Sequence, residues 1–238
     1  MEVQLVALSL LAGYLVGSVS FARVVSSLAV PDTKVTEVTE LHLEGSDQVF
    51  RLGTVSASSV SAQHGSKLGF LVYLLDMAKV AVPVLLFRLW LPDAPYFLVV
   101  ATAAVAGHIW PIYHRFKGGR GLSAIYGTLL VVNWIGMLIA GVGGMLVGLF
   151  VLRSVLLAYV LGPWLVVPWL WWRTGGDPAH VAFAVAAAVM FTVSMIPEIR
   201  QWRKISKEEK WDDYQTVMQL SGMGRGILKM AKKIGVVK

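Results

Sequence analysis

The chain has 238 residues, 56% of them hydrophobic, with a mean hydropathy of +0.67 and a formal net charge of +7. Such an apolar share lies outside the range of soluble globular domains and places the chain among integral membrane proteins. It contains no cysteine, which excludes a disulfide framework, a thiolate nucleophile and a thiolate metal site.

A spanning helix needs roughly 20 mainly apolar residues. Runs of that kind recur here without the long alternation of a transmembrane barrel, so the expected fold is an all-α integral membrane protein. The predicted spans are 3–28, 68–91, 95–113, 119–132, 134–152, 154–172 and 179–196, about seven transmembrane helices. The glycine-punctuated stretch 134–152 could also be cut differently, giving six or eight; its Gly136, Gly141, Gly143, Gly144 and Gly148 are expected to allow close helix packing. The first run has no Lys or Arg before it, so it reads as a retained helix and not a cleaved signal.

Between the first two spans lies a polar insertion over residues 31–67. Its first part, with Val35, Val38, Leu41 and Leu43 among acidic residues, reads as a small extramembrane hairpin or an amphipathic helix. Its second part, "GTVSASSVSAQHG", is rich in small hydroxyl residues suited to close backbone approach and hydrogen bonding.

Seven spans put Lys34, Arg51, Lys67, Arg115, Lys117, Arg120, Arg153 and the basic tail on one face, against Arg88 and Arg173 on the other. Positive charge concentrates on the cytoplasmic side, so the N-terminus is expected outside and the C-terminus in the cytoplasm. Residues 1–196 are read as a polytopic membrane domain and 197–238 as a cytoplasmic tail. That tail holds ten Lys or Arg against five Asp or Glu, interleaved with Trp202, Trp211, Ile227, Leu228, Met230, Ile234 and Val237, as in a segment lying on an anionic leaflet. Nucleic-acid binding ranks lower, because no recognition module is present.

The chemistry is sought in residues 107–123, "GHIWPIYHRFKGGRGLS". Lys117, Gly118, Gly119, Arg120 and Gly121 offer two cations and unshielded backbone N–H groups where a helix begins, which suits a phosphate. The same run also satisfies the positive-inside rule as a plain cytoplasmic turn, and the two readings weigh equally. It is not a P-loop, since the spacing G-x-x-x-x-G-K-[ST] is missing. His108 is either an acid–base group or a packed residue, and the structural reading is preferred for His114. Asp76 and Lys79, three apart on one predicted helix, form either an internal ion pair or part of a site. Ser18, Ser20 and Arg23 of the first helix are further candidates, the serines alternatively bonding a neighbouring helix.

These pieces, in this order, resemble the PlsY-type acyl-phosphate:glycerol-3-phosphate acyltransferases, bacterial inner-membrane enzymes with seven helices. The family pattern G-H-x-[FW]-P-x-F-x-x-F-K-G-G-K-G-[VL]-[AS]-T is met by Gly107, His108, Trp110, Pro111, Phe116, Lys117, Gly118, Gly119 and Gly121, with Arg120 for lysine. Upstream, "GSVSFARVV" at 17–25 and "GSKLGFLVYLLDMAK" match its first and second helices, so the likeness covers about 200 residues. Two motifs depart. "VFRLGTVSASSV" keeps Gly53, Ala57 and Ser58 but has Thr54, Ser56 and Ser59 for asparagine, glycine and asparagine, and Leu52 at the serine position. In "SMIPEIRQW", Met195 takes the histidine position and Glu198 the asparagine position, while Arg200 lies beside the expected arginine.

The resemblance implies transfer of a fatty acyl group from acyl phosphate to the 1-hydroxyl of glycerol 3-phosphate in phospholipid synthesis. It implies no metal or other cofactor, and a multi-pass location in the cytoplasmic (inner) membrane, with membrane lipids as surroundings. It points to Lys117, Gly118, Gly119, Arg120 and Gly121 for phosphate, Arg51 and Ser58 assisting catalysis, and His108 as a further catalytic-site residue orienting the loop. The altered motifs leave a second expectation, a catalytically silent relative binding phosphate or phospholipid. A transporter ranks last, because no inverted repeat is visible.

Overall fold

The computed structural model describes residues 1–30, 38–42, 49–152 and 155–209. Lys34, Val35, Leu43, Arg153 and the tail from residue 210 lie outside these. Helices dominate: α1 (Val3–Gly17), α2 (Phe21–Ala29), α3 (Ala57–His64), α4 (Ser66–Trp90), α5 (Tyr96–Ile109), α6 (Leu122–Val132), α7 (Trp134–Leu138), α8 (Gly144–Leu146), α9 (Val155–Arg173) and α10 (Pro178–Glu209). Among the described residues, four helical stretches are long and apolar enough to cross a membrane: Val3–Ala29, Ser66–Trp90, Tyr96–His114 and Pro178–Glu208. Shorter apolar helices accompany them.

The core lies where α4, α5, α6, α9 and α10 meet, filled by Val80, Val100, Val105, Ile125, Leu129, Leu170 and Phe191. Outward faces carry exposed Phe70, Leu74, Val82 and Leu85, the surface a lipid-facing helix presents. Trp90, Trp171 and Trp172 stand exposed at the ends of α4 and α9, where amphipathic rings suit a membrane interface.

Small residues bring α1 and α5 into backbone contact. A Cβ on Gly17 would lie 2.2 Å from the Ala104 carbonyl oxygen, and one on Gly107 would lie 2.3 Å from that of Tyr14. Such close approach is how helices associate in lipid, where apolar burial gives no advantage. The expected first span is in fact two helices. Ser18 turns its hydroxyl back onto the Tyr14 carbonyl at 2.7 Å, and the chain passes through extended Ser20 before α2 begins. Serine back-bonding of this kind competes with the helical ladder and bends it.

Residues 134–151 alternate α-helix with π-helical turns, Ile139–Gly143 and Val147–Val151, and lie against α9. Of the five glycines expected to pack closely, Gly144 and Gly148 do so, onto the backbone of Gly162 and Ala158, whereas a Cβ on Gly136, Gly141 or Gly143 would meet side chains at 3.4, 3.2 and 3.5 Å.

The insertion forms both a strand pair and a helix. β1 (Thr39–His42) runs antiparallel to β2 (Val49–Leu52), with Glu40 opposite Arg51. The serine-rich part folds as α3, because Ser56 starts it in extended conformation and the Ser56 N–H donates to Ser59 Oγ at 2.9 Å, half of a capping box. α10 does not end near Ile196. It continues to Glu209 despite Pro197, and Trp202 and Ile205 are buried beneath Phe50 and Leu52 of the hairpin. Trp202, expected on the leaflet, thus closes a small core outside the main bundle. Gln201 completes the join: its side-chain oxygen accepts the Arg51 N–H at 3.2 Å and its amide donates to the Val49 carbonyl at 3.3 Å. The outer edge of β2 is thereby covered, as exposed strand edges usually are.

Candidate active site

α5 ends at Ile109, held there by Tyr14, whose hydroxyl donates to the Trp110 carbonyl at 2.8 Å. A 3₁₀ turn over Ile112–His114 follows, and Arg115 and Phe116 adopt left-handed backbone at φ 52° and 62°. This reverses the chain into the glycine run. Gly121, at φ 101°, then starts α6 in a conformation that L side chains rarely adopt.

Gly118 and Gly119 are required by close approach. A Cβ on Gly118 would fall 2.2 Å from the His108 carbonyl oxygen, and one on Gly119 would fall 2.3 Å from His108 Nε2. The His108 ring therefore occupies the space that a side chain at 119 would need, and the Gly119 N–H donates to the His108 carbonyl at 3.0 Å. The Lys117 N–H is likewise spent on the His114 carbonyl, and the Gly118 carbonyl accepts the Val55 N–H, tying the turn to the segment leading into α3. The Gly119 N–H, one of the groups expected from sequence to face a phosphate, is thus already paired within the protein.

Gly118 and Gly119 form one wall of a small cleft. Its other walls are the break between α1 and α2 at Gly17–Ser20, then Val55, Pro111 and three buried polar side chains, Asp76, Lys79 and His108. Lys79 Nζ lies 2.8 Å from Asp76 Oδ1 and donates to the Val19 carbonyl at 2.5 Å. The break in the first span thus frees a carbonyl that this ammonium takes. His108 Nδ1 stands 3.8 Å from Asp76 Oδ1, beyond hydrogen-bond range, and has no hydrogen-bond partner among the described residues. Asp76 and Lys79 are thus both an internal ion pair and part of a site wall.

Arg120 leaves the turn on its other side. Its Nε donates to Glu198 Oε1 at 3.0 Å and its Nη2 lies 2.7 Å from Oε2, while Nη1 donates to Ser58 Oγ at 3.3 Å. Ser58 Oγ also shares a hydrogen bond with Ser56 Oγ at 2.9 Å. The Ser194 hydroxyl, one turn before Glu198, lies 2.8 Å from the Arg120 carbonyl.

The structure therefore gathers His108, Gly118, Gly119, Arg120, Gly121 and Ser58 around one turn. Lys117 is exposed at its rim, where its carbonyl accepts from Arg23 Nη1 at 3.2 Å. Arg51 is not among the cleft residues. Its exposed side chain pairs with Glu40 across the hairpin at 3.0 Å, because it points to the opposite face of β2 from buried Phe50 and Leu52. His114 sits half-buried in the 3₁₀ turn, away from the cleft. Ser194 carried no signal in sequence, and the pairing of Glu198 with Arg120 spans 78 residues. Among the described residues no three His, Asp or Glu side chains cluster so as to hold a metal ion.

Comparison with known proteins extends this picture. A family model described as glycerol-3-phosphate acyltransferase matches residues 7–205. The glycerol-3-phosphate acyltransferase of Pseudomonas putida is 36% identical over 167 residues, covering 70% of this chain and 80% of that protein. That of Myxococcus xanthus is 37% identical over 123 residues, covering 51% and 57%. The fold is similar to crystal structures of PlsY, an integral membrane glycerol 3-phosphate acyltransferase. The glycerol 3-phosphate form superposes with a TM-score of 0.69 at 21% identity, over 87% of this chain and 99% of the other. The lysophosphatidic acid form gives 0.66 at 23% identity, over 84% and 92%.

Proposed function

The chain belongs to the glycerol-3-phosphate acyltransferase family, and from that premise we propose that it transfers a fatty acyl group from acyl phosphate to glycerol 3-phosphate. The acceptor's 1-hydroxyl oxygen forms the new ester bond to the acyl carbon, the bond from that carbon to the phosphate oxygen breaks, and the hydroxyl proton ends on the departing inorganic phosphate, leaving lysophosphatidic acid. The product enters phospholipid synthesis. The acyl carbon is already activated, so orientation and charge stabilisation supply most of the rate.

The observation that carries this reading is the glycine turn 117–121, with Arg120 held by Glu198 and Ser58 on one side and the cleft walled by buried Lys79 and His108 on the other. Lys117 and Arg120 bring positive charge to the phosphate, with the Gly118 and Gly121 N–H groups beside them at the start of α6. Ser58 extends the seat through its bond with Arg120. His108 holds the turn through its carbonyl and ring, the role its contacts support. Arg51 acts in this reading on the hairpin and through it on α10.

The charge distribution supports a seven-span arrangement in a cytoplasmic membrane, with the N-terminus outside and the turn on the cytoplasmic side. Residues 1–196 supply the membrane part in this reading, and the ten Lys or Arg of residues 197–238 suit an anionic leaflet. The test is purified protein in detergent supplied with acyl phosphate and glycerol 3-phosphate. Lysophosphatidic acid formation with saturation in both substrates is expected. Folded protein that binds phosphate without product formation would make it a silent relative.

A further inference from the structure

The last helix meets Arg120 of the glycine turn at its carbonyl and along one edge of its guanidinium. A guanidinium has five N–H donors in a rigid plane. Glu198 takes the Nε and Nη2 edge of Arg120 at 3.0 and 2.7 Å, a two-point contact that fixes the plane as well as the position. Ser58 Oγ takes one hydrogen of Nη1. Two donors are left by these contacts, one on Nη1 and one on Nη2. Glu198 is 6% exposed, so the carboxylate holding this arrangement does not swing in solvent. It sits on α10 between Ser194, which bonds the Arg120 carbonyl, and Gln201, which bonds β2. Main chain and side chain of Arg120 are thus both held by the same helix.

We propose that Glu198 is a positioning residue: it holds Arg120 by its Nε/Nη2 edge so that the donors left on Nη1 and Nη2 are presented to the phosphate monoester of the acceptor. This rests on the reading of residues 117–121 as the phosphate seat. Glu198 costs the seat part of the charge of Arg120 and gives it a fixed direction. A fork already oriented loses less freedom when it binds a phosphate oxygen pair.

The test uses full-length protein in detergent, reading kcat and KM for glycerol 3-phosphate, melting temperature, and the upward shift of that temperature by inorganic phosphate. Glu198→Gln keeps side-chain volume and one acceptor. It is expected to raise KM about ten-fold, the loss of one oriented charge-assisted contact, with kcat changed less than about two-fold and a smaller phosphate shift. The charge-swapped pair Arg120→Glu with Glu198→Arg should recover the wild-type melting temperature while KM stays high, because the fork now starts from α10. Recovery of both stability and KM in the swap would overturn the proposal and leave the pair as a tie between helix and turn. So would a Glu198→Gln variant with KM and phosphate shift within about two-fold of wild type. Absence of product from wild type would sink the acyltransferase reading alone, and the phosphate shifts of wild type and Glu198→Gln would still decide the role of Glu198. No phosphate shift in wild type would overturn the phosphate seat and with it the role of Glu198, whereas product formation alone decides the acyltransferase reading.

Discussion

The glycine turn and the hairpin both reach α10, and they are held by different forces. At the turn, backbone meets backbone or ring without room for a methyl group, and Arg120 is paired with the buried Glu198 carboxylate while Lys117 stands exposed at the rim. At the hairpin, contact is made by a small apolar core under Phe50 and Leu52, a glutamine on a strand edge and an exposed ion pair. The first region tolerates few residue types because its geometry is set by close packing. The second needs only apolar residues of suitable size, so its sequence can drift while its placement persists. Glu198 and Gln201, one turn apart on α10, serve the two regions separately.

That contrast is open to test by substitution. Arg120→Ala has the largest expected effect. It leaves the Glu198 carboxylate buried without its partner, which costs about 3–5 kcal/mol, and adding Glu198→Ala should return much of that loss in thermal unfolding. Gly118→Ala comes next. Its methyl group meets the His108 carbonyl at 2.2 Å, an overpacking expected to cost about 1–3 kcal/mol and to reduce acyl transfer at least ten-fold. Arg51→Ala removes an exposed pair with Glu40, worth about 0.2–1 kcal/mol, and should leave acyl transfer within about three-fold of wild type. A larger loss would join the hairpin to the seat and break the comparison.

The smallest effect is expected at the far end of α10. Asp177 accepts from the His180 ring and from the His180 backbone N–H, and these bonds hold its carboxyl below the usual carboxylate range. The folded value is the lower one. Its contribution is therefore present above the ordinary carboxylate range and is lost as pH falls through the depressed value. Asp177→Asn still caps the helix, so its melting temperature should trail wild type slightly at neutral pH, with the gap closing in acid.

What could be read from sequence follows the same division. Hydropathy showed the membrane class and the long apolar helices, and the run from Gly107 to Ser123 announced its turn, because unshielded glycines between cations have few other uses. The break at Ser18–Ser20 was hidden, since serine in an apolar run is compatible with a continuous helix until its hydroxyl turns onto the Tyr14 carbonyl. Trp202 looked like a leaflet residue because its neighbours are charged; its burial depends on strands some 150 residues earlier, as for the Arg51–Gln201 bond. The hydroxyl-rich stretch hid α3, whose start is set by capping at Ser56 and Ser59. Arg120 read as a phosphate ligand, while the carboxylate that orients it was visible only as a departure from a motif.

The most direct test of a phosphate seat at residues 117–121 is the KM for glycerol 3-phosphate of Lys117→Ala, an exposed substitution expected to leave the fold intact. Acyl transfer lost, or a KM raised at least about ten-fold at an unchanged melting temperature, is the expected result. A KM and a rate equal to wild type would contradict the assignment of the anion to this turn.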